Sequence, residues 1–129
     1  MSEKIPPTLQ FTKDHEWALV EGKIATIGIT HHAQDALGEV VFVELPAKGK
    51  TLKRGDTFGV VESIKAVSDL YSPLSGKILD VNSSLVDEPG LANSDPYQKA
   101  WMIKLELTNS SETSDLLSAT DYKKLVESL

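Results

Sequence analysis

Two β-rich runs meet at a very short polar break in the segment VVESIKAVSDLY, residues 60–71. β-Branched and aromatic residues fill both runs, which predicts strands over Thr57–Ser63 and Ala66–Tyr71. Gly55 lies ten residues before Lys65 and Gly76 lies eleven after it, where turns would end two strands of matched length. The spacing therefore predicts a hairpin with Lys65 at its tip.

Outward from this hairpin, the chain continues as β-rich runs separated by turns. Further strands are predicted near residues 9–11, 17–20, 24–29, 40–45, 77–81 and 101–107. A short helix is predicted near residues 31–37, with Thr30 as its N-cap and Gly38 at its C-terminus. The polar stretch from Asn82 to Ala100 is predicted to be a long loop.

Two segments of the chain echo each other at a distance of 38 residues. GEVVFV at residues 38–43 is similar to GKILDV at residues 76–81, and each precedes a polar loop and another β run. The echo predicts two similar β units related by a pseudo-twofold axis.

The length of 129 residues suits a single domain. We expect a mainly β protein with a loose, proline-containing N-terminal arm at residues 1–8 and a β core at residues 9–108. Residues 109–129 are predicted to be a C-terminal helical segment, because their apolar side chains fall largely on one helical face.

Composition excludes several classes of function. The formal charge of −6, without a basic block, argues against binding to nucleic acid or to anionic membranes. No apolar run reaches the ~18 residues of a membrane span, and no signal segment is present, so a cytoplasmic protein is expected. The chain has no cysteine, so any sulfur chemistry must be imported on a cofactor.

Motifs for catalysis or metal binding are missing from the sequence. His31 and His32 are adjacent, and therefore do not form the i, i+4 pair of a helical metal site. There is no G-x-S-x-G, P-loop or G-x-G-x-x-G motif, so neither metal nor catalytic residues are predicted and the chain is not expected to be an enzyme. Lys65 alone suits either covalent modification or an ordinary solvated turn.

Many segments match one family in order and spacing. The chain resembles the H proteins of the glycine cleavage system in HEW (15–17), ATIGIT (25–30), HAQ (32–34), LGEVVFV (37–43), VESIKAVSD (61–69), SPLSG (72–76), NSDPY (93–97) and WM (101–102). The resemblance implies a flattened barrel-sandwich hybrid of two quasi-symmetric antiparallel sheets, with a C-terminal helix. It covers nearly the whole chain.

The resemblance also implies the site residues. Lys65 would carry lipoic acid in amide linkage, while Glu62, Ser63 and Asp69 would help lipoylating enzymes to recognise the tip. Glu16 is either part of a cleft that receives the loaded arm or a solvated strand-edge carboxylate. Some members have a histidine after HAQ, where this chain has DAL at residues 35–37, so no role of such a histidine is carried over to this chain.

Such a carrier, itself non-catalytic and expected to be a monomer, would serve three enzymes. It would take an aminomethyl group from glycine decarboxylase (P protein), pass it to aminomethyltransferase (T protein) and present its dithiol to dihydrolipoyl dehydrogenase (L protein). Alternatives are a lipoyl relay to 2-oxoacid dehydrogenase complexes, a biotin carrier, and a non-lipoylated interaction protein. Biotin is disfavoured because Ile64 and Ala66, not methionines, flank Lys65.

Overall fold

The structure is a computed structural model that describes residues 5–129. Its strands are β1 (Gln10–Phe11), β2 (Glu16–Glu21), β3 (Ile24–Ile29), β4 (Val40–Glu44), β5 (Thr51–Leu52), β6 (Thr57–Ser63), β7 (Val67–Tyr71), β8 (Gly76–Val81) and β9 (Ile103–Leu107). Its helices are α1 (His31–Leu37), α2 (Ser83–Asp87), α3 (Leu91–Ser94), a 3₁₀ helix (Ser110–Asp115) and α4 (Ala119–Glu127). The first four residues of the predicted arm lie outside the described residues, and in the remainder Pro6–Leu9 form a turn.

Two antiparallel sheets form the molecule, as expected for this fold class. One has six strands in the order β1-β2-β3-β9-β8-β5, and the other has three in the order β4-β6-β7. The sheets differ in size because β1, β2 and β3 all join the sheet that contains β8 and β9. Neither sheet closes into a barrel within residues 5–129.

A shared apolar core holds the two sheets together. Val43, Val61 and Leu70 enter it from the smaller sheet, and Ile27 and Leu105 enter it from the larger one. Each of these side chains is at most 3% exposed. Burial of a side chain of this size contributes about 1.5–3 kcal/mol to folding, so the core accounts for most of the cohesion between the sheets.

The predicted internal echo corresponds to two equivalent strand pairs. β4 pairs antiparallel with β6, and β8 pairs antiparallel with β9. Both pairings are interrupted by an irregularity at the same place in the repeat, between Val40 and Phe42 in one unit and between Ile78 and Asp80 in the other. A shared bulge position 38 residues apart supports two similar β units.

The helix near residues 31–37 is confirmed as α1. The Thr30 side chain accepts a hydrogen bond from the Ala33 amide, which satisfies a donor of the first turn. Gly38 ends the helix at a φ of 83°, a conformation that residues with a Cβ rarely adopt.

The prediction of a long loop from Asn82 to Ala100 is wrong, because this stretch contains α2 and α3. Leu85 on α2 and Ala92 on α3 are fully buried, and each fixes its short helix to the core. The Asn82 side chain donates to the Lys99 and Trp101 carbonyls at 2.8 and 2.7 Å, and so closes the excursion at its base. The sequence did not indicate that Leu85 and Ala92 are buried, because the stretch around them is mostly polar.

The C-terminal segment is built in two parts. Asn109 caps the 3₁₀ helix, after which Leu117 pairs with Phe11 of β1 and Ser118 caps α4. Tyr122 of α4 is fully buried in a second apolar cluster with Phe11 and Trp17. α4, the longest helix of the described residues, has nine residues, and no helix there has the length and apolarity to cross a membrane.

Candidate functional site: an exposed lysine tip beside a cavity with a buried carboxyl group

The tip of the β6–β7 hairpin is held in shape by Ser63. The Ser63 amide donates to the Ala66 carbonyl at 2.8 Å, and the Ser63 hydroxyl accepts from the Lys65 and Ala66 amides at 3.3 and 3.0 Å. Ile64 donates from its amide to the Glu39 carbonyl at 3.1 Å, which ties the tip to the residue before β4. Lys65 therefore stands on a well-defined turn, as predicted.

The Lys65 side chain is exposed and lies over Gly38. A Cβ atom built on Gly38 would stand 3.3 Å from Lys65 Cε, so the absence of a side chain leaves room for the lysine stem. The two apolar neighbours of the tip, Ile64 and Val67, are 71% and 68% exposed. An enzyme could reach the amine without moving any part of the domain.

Asn93 braces the backbone beneath the lysine. Its side-chain amide nitrogen donates to Gln34 Oε1 and to the Gly38 carbonyl, both at 2.9 Å. Its Oδ1 accepts from the Val40 amide at 2.8 Å. The NSDPY segment, which the sequence did not link to the site, thus connects α3 to the turn that supports Lys65.

Glu16 is a buried carboxyl group at the start of β2. It is 3% exposed, so it is not a solvated strand-edge residue. Oε1 accepts from the Thr12 hydroxyl at 3.0 Å and Oε2 accepts from the Tyr71 amide at 3.2 Å. Burial raises the pKa of Glu16 to about 7, although these two hydrogen bonds oppose the shift. A carboxyl group that changes charge near neutral pH is a feature of functional sites.

A cavity of 210 Å³ lies between α1 and the lysine hairpin, with Glu16 in its wall. Asp69 and Ser68 line it from β7, while Ala36 and Leu37 line it from α1. The DAL stretch thus contributes methyl groups, and no imidazole, to this wall. The cavity brings together Glu16 and Asp69, which are 53 positions apart, next to the hairpin that carries Lys65.

A second cavity, of 330 Å³, lies on the other side of the turn between β1 and β2. Asp14 and Glu16 line both cavities, and Phe11, Tyr71 and Leu117 form apolar walls of the second. Glu16 therefore stands in a partition between the two cavities.

His15 connects this partition to the C-terminal helix. Its Nδ1 is 2.8 Å from the hydroxyl of Tyr122, which is also 2.8 Å from the Thr30 hydroxyl. The His15 ring lies 4.5 Å from the ring of His32, and burial, together with that neighbour, lowers the pKa of His15. No local sequence pattern indicated this contact, because Tyr122 is 107 positions away.

The structure places the predicted recognition and docking residues on three strands, β6, β7 and β2. Ser63 is buried in the tip and Glu62 is half-buried on β6, whereas Asp69 is exposed on β7 and lines the cavity. Glu16 lies across the cavity on β2. Sequence analysis missed Thr12 and Tyr71, the two hydrogen-bond donors to Glu16. Thr12 precedes Glu16 by only four residues, but no motif marks it.

The comparisons with known proteins agree with one another. A family model described as "Glycine cleavage H-protein" matches residues 9–129. A relative from Carboxydothermus hydrogenoformans is 52% identical over 123 residues, covering 95% of each chain. A relative from Staphylococcus haemolyticus is 52% identical over 122 residues, covering 95% of this chain and 97% of the relative. Both are named glycine cleavage system H protein.

A solved structure extends the similarity to the fold. The crystal structure of a glycine cleavage system H protein from Mycobacterium marinum superposes with a TM-score of 0.86 at 40% sequence identity. The match covers 93% of this chain and 97% of that chain.

Proposed function

The chain belongs to the glycine cleavage H-protein family, and we propose that Lys65 is the residue on which it carries lipoate. In this role the protein is the carrier of the glycine cleavage system. The observation that supports Lys65 is its position: an exposed lysine at a hydrogen-bonded hairpin tip, within the segment ESIKA at residues 62–66. A tip of this kind can enter the active site of a partner while the rest of the domain stays outside.

The residues around Lys65 fit an amide-linked arm. Ser63 fixes the backbone of the tip, so that a ligating enzyme meets one defined shape. Gly38 leaves the lysine stem unobstructed, and the amide linkage would remove the lysine charge. When bound, lipoate supplies a disulfide that opens to accept the aminomethyl group and closes again on reoxidation.

We also propose that the 210 Å³ cavity receives the loaded arm between partners. An aminomethyl group carries an amine that is cationic near neutral pH, and a nearby carboxylate would hold it by a charge-assisted hydrogen bond. Glu16 is our first choice for that carboxylate and Asp69 our second, because both line this cavity. A carboxylate has about four acceptor positions, and Thr12 and Tyr71 occupy two of those on Glu16.

The partners follow from the proposed carrier role. Glycine decarboxylase, aminomethyltransferase and dihydrolipoyl dehydrogenase would supply the chemistry, and lipoylating enzymes would load Lys65. The protein itself would place and shelter the group, since Ser63 shapes the tip and Glu16 lines a cavity. A monomeric state and a cytoplasmic location are predictions from the sequence alone.

Reconstituted glycine cleavage tests the assignment of Lys65. Glycine cleavage is measured with the three purified partner enzymes and, in turn, wild type, Lys65→Arg or Lys77→Arg, each after treatment with a lipoylating enzyme. Lys77 is an exposed lysine on β8 and serves as the matched control. We expect Lys65→Arg to support no glycine cleavage, because guanidinium does not form the lipoyl amide, while Lys77→Arg matches the wild type. The free energy of unfolding of both variants should lie within about 0.5 kcal/mol of the wild-type value. Full activity of Lys65→Arg would refute the assignment.

A further inference from the structure

We propose that Thr12 is a positioning residue, whose hydroxyl holds the Glu16 carboxylate in the charged, acceptor-only form that receives the amine of the loaded arm. The inference rests on the proposed docking of the arm beside Glu16. It concerns a residue that lies outside the lysine hairpin, in the turn between β1 and β2.

The hydrogen bonds of Thr12 leave its hydroxyl only one orientation. Its oxygen accepts from the Asp14 amide and from the Glu16 amide, both at 3.2 Å. A threonine hydroxyl has two acceptor lone pairs and one proton, so both lone pairs are used. The proton must therefore point to the remaining contact, Glu16 Oε1 at 3.0 Å.

A fixed donor at this place favours the carboxylate over the carboxylic acid. A hydrogen bond to the charged form of a group stabilises that form. The Tyr71 amide is a second fixed donor, on Oε2, so the plane of the carboxylate is held between β7 and the Thr12 turn. With one acceptor position on each oxygen occupied, the others remain for the amine of the arm.

Backbone hydrogen bonds also join Thr12 and Glu16 within one closed turn. The Thr12 amide donates to the Glu16 carbonyl at 3.0 Å, and the His15 amide donates to the Thr12 carbonyl at 3.1 Å. Between them His15 has a φ of 70°, a value that few residues other than glycine adopt. A closed turn of this kind places the hydroxyl within hydrogen-bond distance of the carboxylate.

Burial works against the charged form of Glu16. It raises the pKa of Glu16 to about 7, and the bonds from Tyr71 and Thr12 lower it toward the ordinary value. Other charged or titratable groups around Glu16 are Asp14 and His15 on its own turn, His32 behind His15, Asp69 across the first cavity, and Lys13, Arg54 and Asp115 around the second. All of these groups are unchanged in variants of Thr12. A shift of the Glu16 titration midpoint in such a variant is therefore assigned to the loss of the Thr12 hydroxyl.

The first test titrates Glu16 in the unloaded protein. Carboxyl ¹³C shifts are followed from pH 4 to 9 in wild type, Thr12→Val and Thr12→Ser, with urea unfolding as the check on folding. We expect the Glu16 midpoint of Thr12→Val to rise by about one pH unit, which corresponds to the loss of one hydrogen bond to a charged group. Thr12→Ser, which keeps the hydroxyl, should titrate like the wild type.

The outcomes are decisive in both directions. An unchanged midpoint in folded Thr12→Val would overturn the proposal, and so would an equal shift in Thr12→Ser. If Thr12→Val does not fold, the wild type alone decides: the Thr12 ¹³Cβ shift must titrate with the same midpoint as the Glu16 carboxyl. A Thr12 signal that is independent of Glu16 would refute the coupling.

The second test measures protection of the cargo. Ammonia release from loaded, lipoylated protein is followed against pH without aminomethyltransferase, in wild type, Thr12→Val, Thr12→Ser and Glu16→Gln. We expect the pH below which protection is lost to move up by about one unit in Thr12→Val and not at all in Thr12→Ser. A wild-type profile for folded Thr12→Val would contradict its part in docking.

The failure of each claim is distinguishable. If Glu16→Gln releases ammonia with the wild-type profile, docking beside Glu16 is refuted, and with it the role of Thr12 toward the arm. The titration of unloaded protein would then still show whether Thr12 controls the charge of Glu16. If Glu16→Gln loses protection while Thr12→Val keeps it, docking stands and the positioning role falls.

Discussion

Glu16 is a charged residue type in a place that disfavours charge. Burial of an unpaired carboxylate costs several kcal/mol, and two hydrogen bonds recover only part of that cost. Burial therefore dominates, and the pKa of Glu16 rises to about 7.

The pH dependence of stability tests this environment of Glu16. The pKa rises from an ordinary value of 4.5 to about 7 on folding, so the folded state binds more protons between these values. The stability that protonated Glu16 contributes is fully present below pH 4.5 and is lost as the pH rises through about 7. Relative to Glu16→Gln, we expect the free energy of unfolding of the wild type to fall by about 3 kcal/mol between pH 4.5 and 8.

Urea unfolding at several pH values measures this difference. Burial lowers the pKa of His15, but His15 is present in both proteins, so its contribution cancels to first order. Asp69→Asn, which replaces an exposed carboxyl group, is the matched control. A constant difference between wild type and Glu16→Gln across this range would show that Glu16 does not titrate near neutral pH.

At the residue scale, the sequence predicted the tip and not its surroundings. Lys65 and Ser63 lie within one hairpin, so the residues that shape the tip are neighbours in the sequence and belong to one short motif. The partners of Glu16 depend on the packing of two sheets: Tyr71 reaches it across 55 positions. Contacts of this kind leave no periodic signal in a single chain.

At the scale of the elements, α4 is attached to the larger sheet through Tyr122. The Tyr122 ring stacks on Phe11 of β1 with centroids 4.6 Å apart, and its hydroxyl meets His15 and Thr30. Burial raises the pKa of Tyr122, so the hydroxyl stays protonated and takes part in hydrogen bonding. The C-terminal helix is thereby joined to the turn that contains Glu16.

Tyr122→Phe isolates the contribution of that hydroxyl. The ring keeps its stack on Phe11, while Thr30 and His15 each lose a buried partner. We expect a loss of about 1–2 kcal/mol in the free energy of unfolding at pH 7, measured in urea. Tyr71→Phe, at an exposed tyrosine, should change it by less than about 0.5 kcal/mol. Equal effects of the two changes would contradict the proposed anchor.

The elements that the sequence predicted are those with strong local signals. α1 has both a capping threonine and a terminal glycine, and the β6–β7 hairpin has two β-rich arms. α2 and α3 were missed because each has a single deeply buried anchor in a polar stretch, Leu85 and Ala92. β5, with two residues, is defined only by its pairing with β8.

At the scale of the whole molecule, the architecture was expected from the family resemblance, and the internal repeat agreed with it. Two matching segments 38 residues apart indicated two β units, and both pairings have their irregularity at the equivalent position. The unequal sheets were not predictable from that repeat, because β1, β2 and β3 stand outside it and join one sheet only. The cavity beside the lysine hairpin is likewise outside the repeat in part, because α1 and β2 form its walls together with β7.

Mapping the site of lipoate attachment tests the central claim most directly. Protein made without lipoate is incubated with lipoate, ATP and a lipoate ligase, then digested and analysed by mass spectrometry, beside Lys65→Arg and the control Lys77→Arg. We predict that every lipoylated peptide contains Lys65, that Lys77→Arg is modified like the wild type, and that Lys65→Arg takes up nothing. Lipoate on another lysine, or a wild type that stays bare under conditions that load a known carrier, would contradict the account.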